Sequence, residues 1–271
     1  MATLIFLALP MPEMIKDSKN RKNLTDLRLL FPMEYNVDHG KYYHSIIAHS
    51  YCITLLTVIS IVAAESFFII VIQHSVILFT IIGFQMKTAH VLDERILYRG
   101  DQWKAPTATK FSAQEEILVY RKIVRSIVEH NRALEYVSLV QSTFSTAIFF
   151  QIFFNVVCMS VSAVEILMSA ADLDVVLGML LWLVGQEMHL FFLCLSGQRI
   201  TDSCENVYND AIECLWYTFF AKSKVIYRFL IMNIATPRQL VAMKLLVLNM
   251  QTFQAVTRLA ASYFTVLSAT L

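Results

Sequence analysis

The residues that could bind a metal or carry out catalysis are scattered along the chain. It contains seven histidines and five cysteines, and no two cysteines form a C-x-x-C pair, which argues against a zinc site or a disulfide scaffold. His44 and His49 lie five residues apart and therefore do not share a helical face well. The sequence has no nucleophile elbow, zinc-protease motif, phosphate-binding loop, dinucleotide fingerprint or calcium loop. It therefore predicts neither an enzyme nor a bound cofactor or metal.

Four ionisable residues interrupt long apolar stretches: Glu65, Glu187, His189 and Arg258. An ionisable side chain inside a membrane segment is a candidate functional group. The alternative for Glu65, Glu187 and His189 is a structural polar contact or interface position. Arg258 would cost at least ~2.5 kcal/mol if it faced lipid, so it must face water, a partner helix or lipid headgroups.

The composition indicates that membrane helices must position these residues. Of 271 residues, 57% are hydrophobic and only 16% are charged, whereas an average soluble domain has about 25% charged residues. The net charge of +1 provides no basic field for nucleic acid, and no nucleic-acid partner is expected. We therefore expect an all-α integral membrane protein.

Windows without charged residues predict the spans, because a spanning helix needs about 20 apolar residues. These windows are 42–64, 66–86, 142–164, 175–186 with a continuation to 198, and 245–271 with Arg258 inside it. The sequence around Glu65 contains no Gly, Pro, Asn or Asp that could form a hairpin turn. Tyr42–Met86 is therefore predicted to be one continuous helix, too long for the bilayer, with its outer half in lipid and its inner half in a cytoplasmic bundle.

Basic residues predict the orientation. Nine Lys and Arg residues lie within Lys87–Val140, whereas 168–174 contains none, so the former segment is expected in the cytoplasm. The sequon at Asn23 is a candidate glycosylation site and agrees with an extracellular position for the polar segment near the N-terminus. The C-terminus is then extracellular.

The expected cytoplasmic segments are also helical in pattern. Glu115–Val140 carries an apolar stripe at three- and four-residue spacing, which is typical of an amphipathic helix. The members of this stripe are Ile117, Tyr120, Val124, Ile127, Val128, Leu134 and Val137. Residues 202–220 and 225–246 read as further helices, with a break at Pro237, and 100–109 reads as a loop.

Four motifs in order resemble the insect odorant receptor family. The strongest is LNMQTFQAVTRLAASYFTVL at 248–267, which is similar to the helix that ends members of this family. The other three motifs each resemble a different part of the family. The approach to the fourth span resembles FPMEYNVDHGKY at 31–42, and the approach to the fifth resembles HNRALEYVSLVQSTFS at 130–145. The linker after the sixth span resembles GQRITDSCENVYNDAIECLWY at 197–217. The similarity is strongest to wasp, bee and ant tuning receptors and covers nearly the whole chain.

The resemblance implies the seven-span, inverted-topology channel fold, lacking here the first two spans and most of the third. A truncated copy is therefore expected: a partial gene model, a short isoform or a decayed gene. The implied parts are a third-span remnant at 1–10, an extracellular loop at 11–41, the long fourth helix at 42–95, a cytoplasmic loop at 96–110, a cytoplasmic helix at 111–141, the fifth span at 142–168, an extracellular turn at 169–174, the sixth span at 175–198, cytoplasmic anchor helices at 199–247 and the pore-lining helix at 248–271.

The function that the resemblance implies is an odorant-gated, non-selective cation channel in the plasma membrane of olfactory sensory neurons. Its implied partners are a small volatile odorant, the shared odorant co-receptor in a heterotetramer, and membrane lipid. Counting from the Tyr-Phe pair, the gate positions fall on Val266 and Thr270; Thr270 departs from the apolar pattern, and Leu271 is the alternative there. A non-conducting chain that only associates with the co-receptor, and a G-protein-coupled receptor, are the alternative functions.

Helical spacing groups Leu259, Ser262, Val266 and Thr270 into one stripe, which suits a wet pore or, alternatively, a lipid- or partner-facing surface. The candidate odorant contacts are His44, Ile47, Ala48, Tyr51 and Leu55 in the fourth helix and Val176, Leu180 and Trp182 in the sixth. An apolar pocket with few polar groups suits a small volatile molecule, and ordinary packing within the bundle is the alternative for each residue.

Overall fold

The computed structural model describes residues 39–91, 113–168 and 173–270. The elements in chain order are α1 (His39–Lys87), α2 (Ala113–Met168), α3 (Leu173–Glu213), a 3-10 turn (Trp216–Thr218), α4 (Ala221–Ile234), β1 (Val241–Ala242), β2 (Leu246–Val247) and α5 (Met250–Thr270). The predictions for the third-span remnant, the extracellular segment with Asn23, the loop at 96–110 and Leu271 lie outside the described residues.

Helix α1 is continuous over 49 residues, which confirms the prediction of a single helix through Glu65. Its first half exposes large apolar side chains on several sides, including Leu56 and Val62. In its second half, buried side chains recur every three or four residues from Ile72 to Met86. The helix therefore changes from an apolar exposed rod to an element packed on one face, as expected for a helix that leaves the bilayer and enters a protein core.

The chain forms two compact units, one of which comprises 70–152 and 192–254. Its core contains one stripe from each helix, and the stripes repeat at helical spacing. The fully buried members include Phe79 and Met86 of α1, Ile123 of α2, Ile200 and Val207 of α3, Tyr227 of α4, and Leu248. Lys87 makes an ion pair with Glu213 at 2.6 Å and joins the last turn of α1 to the last turn of α3.

The buried face of α2 differs from the predicted stripe. Ile117, Val124 and Val128 are exposed, whereas Val119 and Ile123 are buried. The buried face also includes Ser126 and His130, so it lies about 100° around the helix from the predicted one. The prediction was right for Val137, which is buried, and wrong for Ile117, Val124 and Val128. Both faces of this segment are rich in apolar residues, and periodicity alone does not rank them.

The predicted helices at 202–220 and 225–246 are shorter in the structure, which has helix at 202–213 and 225–234 and a hairpin after the break at Pro237. Helix α3 ends at Glu213, α4 ends at Ile234, and β1 and β2 form an antiparallel hairpin before α5. Pro237 has no N–H to continue a helix. Met243 and Lys244 take positive φ angles of 49° and 60° in the turn, which reverses the chain. The hydroxyl oxygen of Ser145 in α2 accepts a hydrogen bond from the Met243 N–H at 2.7 Å and fixes the turn.

Among the described residues, the other unit comprises 39–69, 153–168, 173–191 and 255–270. Three of the described helices, α1 to α3, are long and apolar enough to cross a membrane. Helix α5 has 21 residues and is not among them. Gln251, Gln254 and Arg258 lower its apolar content, which suits a helix with one wet face.

Candidate functional site

Helix α5 starts at a defined cap and a close contact with α3. The Asn249 side-chain oxygen accepts a hydrogen bond from the Thr252 N–H at 2.8 Å, which satisfies one of the open N–H groups of the first turn. Leu248, fully buried just before the cap, packs directly against Gly197 of α3. The helix start is thus fixed by local capping and by packing against a residue without a side chain.

The two faces of α5 are different in chemistry. One face is half-buried and consists of Phe253, Val256, Thr257, Ala260 and Phe264. The opposite face is exposed. It consists of residues that lie within one arc of about 80° around the helix: Gln251, Ala255, Arg258, Ser262 and Val266. The exposed face is therefore small or polar along most of its length, unlike the exposed sides of α1.

The predicted pore residues lie on or beside this exposed face. Leu259 is 65% exposed, Val266 is 61% exposed, and Ser262 is exposed as well. Thr270 is the last helical residue and follows Val266 by one turn. Arg258 lies about 40° from Ser262 on the helix and so belongs to the same face, closer to its centre than Leu259.

A short segment of α3 contacts three other helices through polar side chains. The Asn155 amide of α2 donates to the Gln186 side-chain oxygen at 2.6 Å and to the Gln186 carbonyl at 3.2 Å. The Thr257 hydroxyl of α5 donates to a Glu187 carboxylate oxygen at 3.0 Å. His189 Nε2 shares a hydrogen bond of 2.8 Å with Glu65 Oε1 of α1. We name residues 186–189 the α3 polar segment.

The predicted odorant contacts are divided between two helices. His44, Tyr51 and Leu55 fall within about 40° on α1, so they can face one neighbour together. Leu180 and Trp182 are two residues apart on α3, and their side chains point about 200° apart. His44, Leu55 and Leu180 are exposed, and Tyr51 and Trp182 are half-buried. Among the described residues, no group of three or more His, Cys, Asp and Glu could hold a metal ion.

The comparison with protein families decides the identity of this helical arrangement. The model of the seven-transmembrane odorant receptor family matches residues 1–261. The chain belongs to this family. No curated protein sequence matches the receptor chain. The resemblance found in the four sequence motifs is thereby confirmed.

Solved structures show the same fold. The receptor chain is similar to the insect olfactory receptor OR5 from Machilis hrabei, with a TM-score of 0.71 and 16% sequence identity over 98% of this chain and 61% of that one. The structure of OR5 in complex with eugenol gives a TM-score of 0.67 at 16% identity, over 100% of this chain and 63% of that one. The chain thus spans about three fifths of the length of OR5 and is an all-α, multi-pass membrane protein with the insect odorant receptor fold.

The sequence pattern indicated some residues of the α3 polar segment and some of their partners, and it did not indicate others. It marked Glu65, Glu187 and His189 as ionisable groups in apolar stretches, and in the structure Glu65 and His189 contact each other. It missed Asn155, Gln186 and Thr257, although a polar side chain in an apolar window is the same kind of signal. Their pairing joins residues 31 and 70 positions apart, which periodicity does not reveal.

Proposed function

We propose that this receptor chain is a subunit of an odorant-gated, non-selective cation channel. It works in the plasma membrane of olfactory sensory neurons as part of a tetramer with the odorant co-receptor. In this assembly α5 lines the conduit, Val266 forms the gate, and Thr270 or Leu271 forms a second ring.

The observation that carries this proposal is the exposed face of α5. A lipid-facing surface would place Arg258 in hydrocarbon at a cost of at least ~2.5 kcal/mol. A contact with another helix that excludes water would bury the polar groups of Gln251 and Ser262, which would then need hydrogen-bond partners. Water satisfies all three side chains, and it fits the exposure of the whole face. The apolar side chain of Val266 on that face can close a narrow passage by dewetting.

The membrane placement follows from α1. Its first half exposes apolar side chains such as Leu56 and Val62 and is proposed to lie in lipid. Its second half buries one face and is proposed to lie in the cytoplasm, in agreement with the basic residues that follow it.

The odorant is proposed to bind against the α1 face with His44, Tyr51 and Leu55, and against Leu180 or Trp182 of α3. These two α3 residues point to different sides, so one of them faces the odorant and the other faces lipid or a neighbouring helix. An apolar surface with two or three polar groups suits a small volatile molecule. Tyr51→Ala is expected to raise the half-activating odorant concentration several-fold more than the same substitution at an exposed position proposed to face lipid, Val62.

Current recording tests the channel proposal. The receptor is co-expressed with the co-receptor, and currents are measured against an odorant panel while the main external cation and anion are exchanged. Cation exchange should move the reversal potential, and anion exchange should not. Silence despite normal delivery to the cell surface would favour the alternative of a non-conducting partner.

Cysteine substitution on α5 locates the conduit. A charged methanethiosulfonate reagent is expected to reduce the current of Val266→Cys and leave Phe264→Cys unaffected, because Phe264 lies on the opposite, half-buried face. The unsubstituted receptor corrects for its five native cysteines. Equal sensitivity of the two variants would overturn the pore assignment.

A further inference from the structure

The α3 polar segment sends three side chains in three directions. Taking Gln186 as the origin, Glu187 lies about 100° and His189 about 300° around the helix. They reach Asn155 of α2, Thr257 of α5 and Glu65 of α1, respectively. All six residues belong to one compact unit. A single turn of α3 is therefore tied to each of the other helices of that unit.

The tie to α5 lies on the face opposite the gate. Thr257 precedes Val266 by nine residues, which places the two side chains about 180° apart on the helix. The Thr257 hydroxyl is half-buried and donates to a carboxyl oxygen of Glu187 at 3.0 Å. A hydrogen bond to a carboxylate is stronger than one between neutral groups. A change of this contact would turn or shift α5 and so move Val266 relative to the conduit axis.

We propose that Glu187 is the positioning residue that holds α5 in its resting orientation and transmits movements of α3 to the gate. The inference rests on the proposed function, because it assigns Val266 to a conduit. The odorant contacts are proposed to lie on α1 and α3, and His189 connects these two helices, while Gln186 connects α3 to α2. A displacement of α1 or α3 would therefore reach α5 through one turn of α3. Coupling between helices can be carried by packed side chains and hydrogen bonds, and the Glu187–Thr257 hydrogen bond links α3 to α5 in this way.

Cysteine accessibility at the gate tests the inference without odorant and without current. Val266→Cys is the reporter, and its rate of modification by a charged methanethiosulfonate reagent is measured on surface receptors co-expressed with the co-receptor. Thr257→Val removes the hydroxyl at nearly constant volume. It is expected to change the modification rate by about threefold or more, because one hydrogen bond within a membrane contributes a free energy of that size. Thr257→Ser restores the hydroxyl and is expected to restore the rate.

Two further variants separate positioning from general destabilisation. Thr143→Val removes an exposed hydroxyl that bonds within α2 and is expected to leave the rate unchanged. Glu187→Leu should change the rate as Thr257→Val does, and the double variant should show no more than the larger single effect, because both remove the same contact. Glu187→Met, which has a similar length and no carboxyl oxygen, replaces Glu187→Leu in this comparison if the latter does not reach the cell surface.

The outcomes are distinct. Equal rates in the Thr257→Val and Thr257→Ser backgrounds, or single effects that multiply in the double variant, would overturn the positioning role while leaving the channel intact. A Val266→Cys reporter that reacts in no background, with or without odorant, would overturn the proposed conduit and the inference together.

Discussion

Gly197 of α3 and Leu248, two residues before α5, are in direct backbone contact: a Cβ on Gly197 would collide with the carbonyl oxygen and side chain of Leu248. Leu248 is fully buried, so it has no free space into which it could move. The glycine is needed here for close approach between two chain segments rather than for an unusual backbone angle. This contact fixes the point from which α5 starts.

Gly197→Ala is accordingly expected to destabilise the receptor strongly. Overpacking costs typically 1–3 kcal/mol, and the collision involves backbone, so the loss should lie at or above about 3 kcal/mol and greatly reduce the yield of folded receptor. Gly83→Ala is the matched control, because its Cβ would meet the Asp210 carboxylate oxygen at 2.6 Å, and that side chain can rotate away. Thermal unfolding of detergent-purified receptor compares the two; equal stability would contradict the packing argument.

The hydroxyl group of Tyr227 caps the end of α3 inside the core. It donates to the Ala211 carbonyl at 2.9 Å, and the Met86 carbonyl lies 3.4 Å away. Burial raises the pKa of Tyr227 well above its usual range, so the hydroxyl remains a donor at every accessible pH. Tyr227→Phe removes the hydroxyl that donates to the buried Ala211 carbonyl and should cost about 1–2 kcal/mol.

The midpoint of thermal unfolding should therefore fall by a few degrees in Tyr227→Phe, since 1 kcal/mol corresponds to roughly 2–4 °C in a protein of this size class. Tyr217→Phe is the control, because Tyr217 is 61% exposed and water can replace its hydrogen bonds. If both variants unfold at the same temperature, the buried hydroxyl does not stabilise the core as stated.

Some features could be predicted from the sequence because they depend on local chemistry. The absence of turn-forming residues near Glu65 sufficed to predict the continuous α1, and the order of the four motifs sufficed to identify the family. The hairpin at 241–247 could not be predicted in this way, because Ser145, about 100 residues earlier in the chain, fixes its turn. The buried face of α2 was misassigned because apolar side chains occur on both of its faces.

The candidate site shows the same division. The exposure of Val266 and Ser262 agrees with the stripe that helical spacing predicted. The contact between Glu187 and Thr257 joins residues on different helices, and the sequence pattern of either helix alone does not identify the residue that it contacts on the other. Sequence therefore indicates which residues are unusual for their surroundings, and the packing of helices decides what these residues contact.

Cys214 is expected to resist alkylation in the folded receptor. It is 1% exposed, and its sulfur lies 3.6 Å from His90 Nδ1. Burial raises the pKa of the Cys214 thiol to about 11, and burial lowers the pKa of His90, so the pair is neutral at physiological pH. The thiolate is the reactive form, and at pH 8 it makes up about a thousandth of this thiol.

Maleimide labelling of folded receptor at pH 8, read peptide by peptide by mass spectrometry, measures this resistance. A cysteine introduced by Tyr217→Cys, three residues away and exposed, should react on the order of 100-fold faster than Cys214. Denaturation should remove the difference. Similar rates at the two positions in the folded receptor would show that Cys214 is open to solvent.

Arg258 is expected to limit cation flow through any conduit that contains this chain. It lies on the exposed face of α5 about 40° from Ser262, so its guanidinium group adds positive charge beside the proposed path. Like charges repel, and the repulsion is stronger for divalent than for monovalent cations. Arg258→Gln should therefore increase single-channel cation conductance and raise the permeability of calcium relative to sodium, whereas Arg258→Lys should keep both near the original values.

Reversal potentials under bi-ionic conditions measure this permeability ratio. Arg228→Gln is the control, because it alters an arginine outside α5 that lies over the Trp216 ring. An unchanged ratio in Arg258→Gln, with odorant currents intact, would mean that the exposed face of α5 does not border the path of the ions.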